Sequence, residues 1–256
     1  MLREDYRLLA EQKTPRLSVS FAKSKEEIRE ALRLRYQVFH TEMGARLQTL
    51  LPRTDPGIDR DMFDAYCEHL LVRDNQTGAV VGTYRVLNPK MAQRIGGYYS
   101  ETEFDLTRIA HLNDGMVEVG RSCVHPDYRS GATIGLLWSG VLQYMQRQGY
   151  QYLIGCASIS MQDGGHAAAS IYRRYSQECL SPKEWRVFPR NRLPLESLNS
   201  TLDVPLPPLI KGYQRLGCLV CGEPAWDPDF NSADLLLLLP FSLMNKRYAR
   251  RFLDPT

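Results

Sequence analysis

A chain of 256 residues, 43% of them hydrophobic, can bury an ordinary core as one large domain or two small ones. Its 32 basic and 29 acidic residues leave a formal charge of +3, too small an excess to point to nucleic acid. No run approaches the roughly 20 apolar residues that span a bilayer, and the amino terminus is charged throughout, unlike a secretory signal. The six cysteines are scattered apart from Cys218 and Cys221. That lone pair is a weak zinc signal, and reduced thiols in a cytoplasmic protein are expected.

Residues 1–16 read as a mobile lead, and residues 17–256 as a single domain. The alternating "RLSVSFA" gives a first strand. Ser24 then caps a helix with Glu26 and Glu27 in its first turn, running through "KEEIREALRLRYQVFHTEM" to Met43. Ile28, Leu32, Arg35 and Phe39 share one face, so Arg35 interrupts an otherwise apolar stripe. A long loop follows, containing "DRDMFD". "CEHLLVRD" and "AVVGTYRVL", joined by "NQTG", form a hairpin that carries His69 and Arg85 within apolar strands. Residues 89–115 read as irregular, and Gly96-Gly97 argues for mobility there.

"GMVEVGRSCV" is the next strand, "TIGLLWSGVLQYMQRQG" a helix ending at Gly149, "YQYLIGCASI" a strand and "GHAAASIYRRYSQ" a helix. Residues 178–210 read as a crossing loop. A short helix and two strands split by "EPAWDPDFN" follow, and "SLMNKRYARRFL" closes the chain as a helix. The order of elements gives an α/β fold. Two basic clusters, Lys183, Arg186, Arg190 with Arg192 and Lys246, Arg247, Arg250 with Arg251, are ordinary solvated faces or receivers of an acidic partner or anionic lipid.

Some polar residues stand where a core alone does not call for them. Glu118 lies inside an apolar strand, and a buried carboxylate is costly unless paired or used. Arg121 is three positions on, and a bulge at Gly120 would bring the two to one side. They form either a structural pair or a general base with its partner. His69 reads first as a satisfied core residue, and Asp61 with Asp64 lack the spacing of a metal site, so no metal is expected. The turn "DYRSGATIG" leads from a strand into a helix, a natural anion site. It reads either as a simple turn or as a phosphate loop, with Ala132 and Ile134 crowding it toward a single phosphate.

Taken together, "LRYQVFHTEMG", "DMFD", "EHLLVRD", "GTYRVL" and "EVGRSCVHPDYR" resemble the L-ornithine N-alpha-acyltransferases, as do "LPPLIKGYQRLG" and "CGEPAWDPDFNSADLLLLL". That group belongs to the GNAT superfamily, is related to the acyl-homoserine lactone synthases and is sometimes labelled hemolysin. The resemblance covers about residues 17–252. It implies a GNAT-like fold: a central mixed, twisted sheet flanked by helices, with residues 178–256 as a family-specific part. It implies transfer of a fatty acyl group, often 3-hydroxylated, from acyl carrier protein to the alpha-amine of ornithine, giving a lyso-ornithine lipid. It also assigns Arg35, Phe39, Asp61, Asp64, Arg85, Glu118 and Arg121 to the polar framework of the pocket, with His69 beside them. The Trp that lactone synthases carry after the first motif is missing from "HTEMGAR", which puts lactone synthesis in doubt.

On this reading the chemistry is direct aminolysis of a thioester. The strands at 116–124 and 151–157 splay to admit a pantetheine arm. Ser122, Cys123, Val124, Arg129, Ser130 and Gly131 bind it, and a backbone N–H near Arg121–Cys123 receives the oxyanion. Glu118 takes the amine proton, and Cys123 is not the nucleophile. No tightly bound cofactor is expected. The donor is the acyl-phosphopantetheine of acyl carrier protein ahead of a coenzyme A thioester, with an amino acid as acceptor. Peripheral contact with the anionic inner face of a membrane is a further expectation. The alternatives are another amine acceptor, a lactone-synthase-like activity or, in a different class, a lipid-binding or membrane-lytic protein.

Overall fold

The alternating first segment forms β1 (Leu17–Phe21), an edge strand antiparallel to β2 (Glu68–Asp74), which pairs in turn with β3 (Val80–Leu87). The structure, a computed structural model, describes residues 15–46, 56–129 and 131–253, so most of the amino-terminal lead, part of the long loop and Ser130 lie outside the described residues. Between β1 and β2 runs α1 (Lys25–Arg35), whose cap Ser24 accepts a hydrogen bond from the Glu27 N–H. The expected single helix changes winding at Tyr36, and Tyr36–Glu42 continue as a π-helix. Such wide turns cluster at functional sites, and this one carries Val38 and Phe39.

Residues 89–115 are more regular than their glycines suggested. They form α2 (Pro89–Ile95), a 3-10 turn (Tyr99–Thr102), β4 (Phe104–Asp105) and a second 3-10 segment (Thr107–Gly115). Gly96 serves as the left-handed cap of α2, at φ 98°. Then come β5 (Met116–Val124), α3 (Ala132–Gln148), β6 (Tyr152–Ser160) and α4 (His166–Cys179). The crossing segment holds β7 (Phe188–Pro189), which pairs with β4. The chain ends with α5 (Pro208–Leu216), β8 (Leu219–Val220), β9 (Ala225–Asp227), β10 (Ser232–Pro240) and α6 (Lys246–Leu253). β9 falls within the stretch expected to be turn alone.

The main sheet runs β1-β2-β3-β5-β6-β10-β8, with β9 also on β10. β10 pairs with β6 along all nine residues. Its leucine run is buried on both faces. Leu235, Leu237 and Leu239 join the core with α3, α4 and α5, whereas Leu236 and Leu238 meet Ile154, Met116, Phe104 and Ile109 on the other side. A run apolar on both faces is what a central strand requires. Among the described residues no helix is long and apolar enough to cross a membrane.

The sheet is open at one place. β5 and β6 run parallel and pair only from Met116 with Tyr152 to Glu118 with Ile154. Beyond that the strands part, and their facing backbone groups are left for something else to satisfy. Gly155 sits at the fork, where a Cβ would come within 2.5 Å of the Val119 carbonyl oxygen. Gly155→Ala is therefore expected to pry the fork and cost about 1–3 kcal/mol, read from chemical denaturation.

Candidate active site

A buried ion network holds the loop before β2 against α1 and the sheet. Arg35 Nε donates to Asp59 at 2.7 Å, and its Nη1 and Nη2 donate to Asp64 at 2.6 and 3.3 Å. Arg85 Nη1 donates to both oxygens of Asp61, at 2.7 and 2.6 Å, and to Asp64 at 3.3 Å. Burial works against the Asp64 charge, but Arg35 and Arg85 overcome it and hold the carboxyl well below the usual range. The same balance, burial against Asp64 and its companions, raises Arg35 and Arg85. Asp59 escaped the sequence reading because its partner Arg35 comes from another element. His69 is buried, with Nε2 3.2 Å from the Asp64 carbonyl oxygen, and burial lowers its pKa. It lines neither cavity described below.

The bulge in β5 falls one residue later than expected. Thr83 faces Cys123 while Arg85 faces Gly120, so β5 carries the extra residue at Arg121–Ser122. Arg121 takes φ 52°, a left-handed backbone that costs an L-residue roughly 1–2 kcal/mol. The kink places its guanidinium between the rings of Tyr99 and Phe230, 4.9 and 4.6 Å from their centres, with Nη2 3.4 Å from Asp61. Glu118 is turned elsewhere. It accepts hydrogen bonds from the Tyr99 and Ser100 N–H groups, each at 2.7 Å, and from the Ser100 hydroxyl. Burial raises its pKa, and these donors pull the other way. The expected Glu118–Arg121 pairing is thus replaced by two separate sets of partners.

Two cavities meet beside these residues. One, of about 420 Å³, is lined by Arg46, Asp59, Asp61, Arg190, Trp226 and Asp229 among others. The second, of about 320 Å³, passes through the fork between β5 and β6. It touches Phe39, Cys156 and Asp234 toward one face of the sheet, and Tyr84, Leu209 and Tyr213 toward the helices of the other. Ser122, Cys123 and Val124 line it. Tyr99, Glu103, Arg121, Asp227 and Phe230 belong to both cavities. Glu118 belongs to neither.

Arg129, in the turn before α3, lines the fork cavity and pairs with groups of its own protein. Arg129 gives Nη1 and Nη2 to Glu42 at 2.6 and 2.7 Å and Nε to the Val124 carbonyl at 3.0 Å. Gly131 caps α3 in the left-handed region, φ 94°. Thr133 is fully buried, with its hydroxyl donating to the Tyr128 carbonyl at 3.0 Å. Ser130 lies outside the described residues.

Three acids went unnoticed in the sequence. Glu103, Asp227 and Asp234 bring one oxygen each within 4.8 Å of one another, the grouping among the described residues that could hold a cation. A polar residue opening an apolar strand, as Asp234 does, was the available signal.

Residues 34–139 match the acetyltransferase (GNAT) domain family. Over 248 residues the chain is 37% identical to the L-ornithine N(alpha)-acyltransferase of Agrobacterium fabrum, covering 91% of this chain and 83% of that one. It is 34% identical to the protein of the same name from Brucella abortus, covering 91% and 87%. Of solved structures, FeeM, an N-acyl amino acid synthase from uncultured soil microbes, superposes with a TM-score of 0.55 at 14% identity, over 90% of this chain and 93% of that one. The CoA-dependent acyl-homoserine lactone synthase MesI does so with 0.51 at 15%, over 93% and 95%. At such identities these two speak for the fold alone.

The ion network sets an acid limit. Asp64 has a depressed folded pKa, so its contribution is full above the unfolded value of about 3.9 and is lost as pH falls toward the folded one. Wild-type stability is expected to drop through that window. Asp64→Asn removes the charge, costs about 3–5 kcal/mol at neutral pH by leaving buried Arg35 with Asp59 alone and buried Arg85 with Asp61 alone, and flattens the acid slope. Denaturant titrations of both proteins from pH 2.5 to 7 measure this.

Proposed function

Because the chain belongs to the L-ornithine N-alpha-acyltransferase family, we propose that it moves a fatty, commonly 3-hydroxylated acyl group from the phosphopantetheine thioester of acyl carrier protein to the alpha-amine of ornithine, giving a lyso-ornithine lipid. The observation that carries this reading is the meeting of the fork cavity with the charged cavity at Tyr99, Glu103, Arg121, Asp227 and Phe230. A pantetheine arm threading the fork would bring its thioester to that junction. The amino acid would enter from the charged side, with Arg121 and Arg46 available to its carboxylate.

The step is direct aminolysis. Burial pushes the Cys123 thiol up to about 12 and Cys156 well above its usual value, so neither supplies a thiolate at neutral pH. Cys123→Ala should keep turnover and form no acyl-enzyme by intact-mass spectrometry. The unpaired backbone of β5 beyond Glu118 is available to the developing oxyanion.

Acyl carrier protein is favoured as donor carrier because the turn before α3 offers little to a pyrophosphate. Arg129 is committed to Glu42, and Thr133 is packed where an open loop would be needed. The docking face we assign is α6, which packs on α3 and α5 and exposes Lys246, Arg247, Arg250 and Arg251. Arg192 suits this less, since it already pairs with Glu196 and Glu223. Carrier proteins are acidic, so docking should weaken with salt. The expected results are a higher kcat/KM with the acyl carrier protein thioester than with the matched coenzyme A thioester, and a KM for the carrier raised by Arg250→Glu with Arg251→Glu while the KM for ornithine stays unchanged. Equal use of both thioesters overturns the carrier assignment. A double variant that instead loses only co-sedimentation with anionic vesicles makes α6 a lipid contact.

A further inference from the structure

We propose that Glu103, with Asp234 at its side, receives the acceptor's ammonium and takes its proton, and that Glu118 acts one step removed by positioning the turn that carries Glu103. The assignment rests on the acyltransfer reading above and deepens it.

Glu103 lines both cavities at their junction, whereas Glu118 lines neither. Both Glu103 carboxylate oxygens are shut from solvent and no N–H donates to them; beside them stand Asp234 and the weak thiol donor of Cys156. A buried carboxylate without donors is costly. Three things can relieve it: a proton shared with Asp234, a metal ion held with Asp227 and Asp234, or a cation bearing N–H groups. Asp234 is itself buried, and the Ser232 hydroxyl donates to it at 3.2 Å. An incoming ammonium has the donors that Glu103 lacks.

The surroundings hold Glu103 in place from both sides. Before it, Tyr99 and Ser100 are pinned by Glu118. After it, β4 pairs with β7, and the Arg190 N–H donates to the Glu103 carbonyl at 2.7 Å. The titratable groups facing its carboxyl are Asp234 on β10, Asp227 on β9, Cys156 on β6 and Tyr99 on its own turn. Arg46, Arg121 and Arg190 line the same cavity. Burial first and the neighbouring Asp234 second raise Glu103 well above the usual carboxylate range, and burial raises Asp234 as well.

The proton balance is simple. Ionised Glu103 takes one proton from the ammonium, and the freed amine attacks the thioester carbon, forming C–N. The adduct loses a second N–H proton, the C–S bond breaks, and that proton ends on the departing sulfur. The amide keeps the third hydrogen, and Glu103 returns its proton to solvent.

The test is a pH series of kcat/KM for ornithine, using whichever acyl thioester wild type turns over, in buffer with EDTA. Wild type should show an acid limb above the usual carboxylate range, because the base works only when ionised. Asp234→Asn should move that limb to lower pH, since the raising neighbour is gone. Glu103→Gln should lose about 10²–10⁴-fold while keeping its melting temperature, and Glu103→Asp should recover part of the loss. Glu118→Gln should slow turnover without moving the limb. If Glu103→Gln fails to fold, the limb shift in Asp234→Asn decides alone. A folded Glu103→Gln with near-wild-type turnover overturns the assignment and leaves the acyltransfer reading intact, as does a limb that moves in Glu118→Gln but not in Asp234→Asn. If EDTA abolishes wild-type activity and added Mg²⁺ or Ca²⁺ restores it, the three acids hold a metal and the assignment falls. Wild type inactive on ornithine with every thioester overturns both readings.

Discussion

The arrangement around the junction depends on Arg35 being buried with its charge intact. A guanidinium 1% exposed is tolerable only with partners on several of its donors. Asp59 and Asp64 supply them, and Asp64 is in turn shared with Arg85, which binds Asp61. Each member fixes another. The loop through Asp59–Asp64 therefore has one placement in which all its carboxylates are satisfied. That loop forms a wall of the charged cavity. Buried ion pairs are weak evidence for net stability. Here their effect is to specify the position of a segment without regular secondary structure.

Much of the fold was readable because it is local. The alternation of β1, the hairpin β2–β3, the Ser24 cap and the apolar run of β10 each follow from residues adjacent in sequence. The framework residues Arg35, Asp61, Asp64, Arg85 and Arg121 stood out for a related reason: each is charged where its element is otherwise apolar or where a motif resemblance marks it, and the structure gathers them. What was not legible depends on distant pairings. Glu103 sits in "SETEFD", a stretch with no periodicity. Only the Glu118 anchor on one side and the β4–β7 pairing on the other aim it into the junction. Asp234 joins it through the β10–β6 pairing, which brings together segments far apart in the sequence. Arg129 lines the fork cavity, and a loop arginine likewise gives no hint of its pairing with Glu42, 87 positions away.

The two faces of the fork divide the work of the site. Where β5 leaves β6, a channel opens between layers that the rest of the sheet keeps apart. Toward the helices it is flanked by Tyr84, Leu209 and Tyr213, a surface suited to a pantetheine arm or the start of an acyl chain. Toward the other face it ends among ionisable groups. The bulge at Arg121 lies on this boundary. A strained residue there is consistent with a strand that must stop serving its ladder and start serving a ligand.

Charge balance gives the last step. Three arginines and five carboxylates line the charged cavity. Behind them stand Arg35 and Arg85 with Asp64, and Asp234 lies beside Glu103, so with every group ionised the assembly keeps two carboxylates in excess. A neutral zwitterion such as glycine would leave that excess uncompensated. A dibasic amino acid, with one carboxylate and two ammonium groups, carries a single positive charge and would offset half of it. The order of events follows. On the proposed assignment the buried acids would ionise fully only with the cation present, so the base would form in the same step that seats the nucleophile. A thioester in the fork would then meet a free amine, and an empty site whose acids share protons would have no strong base to spend on water.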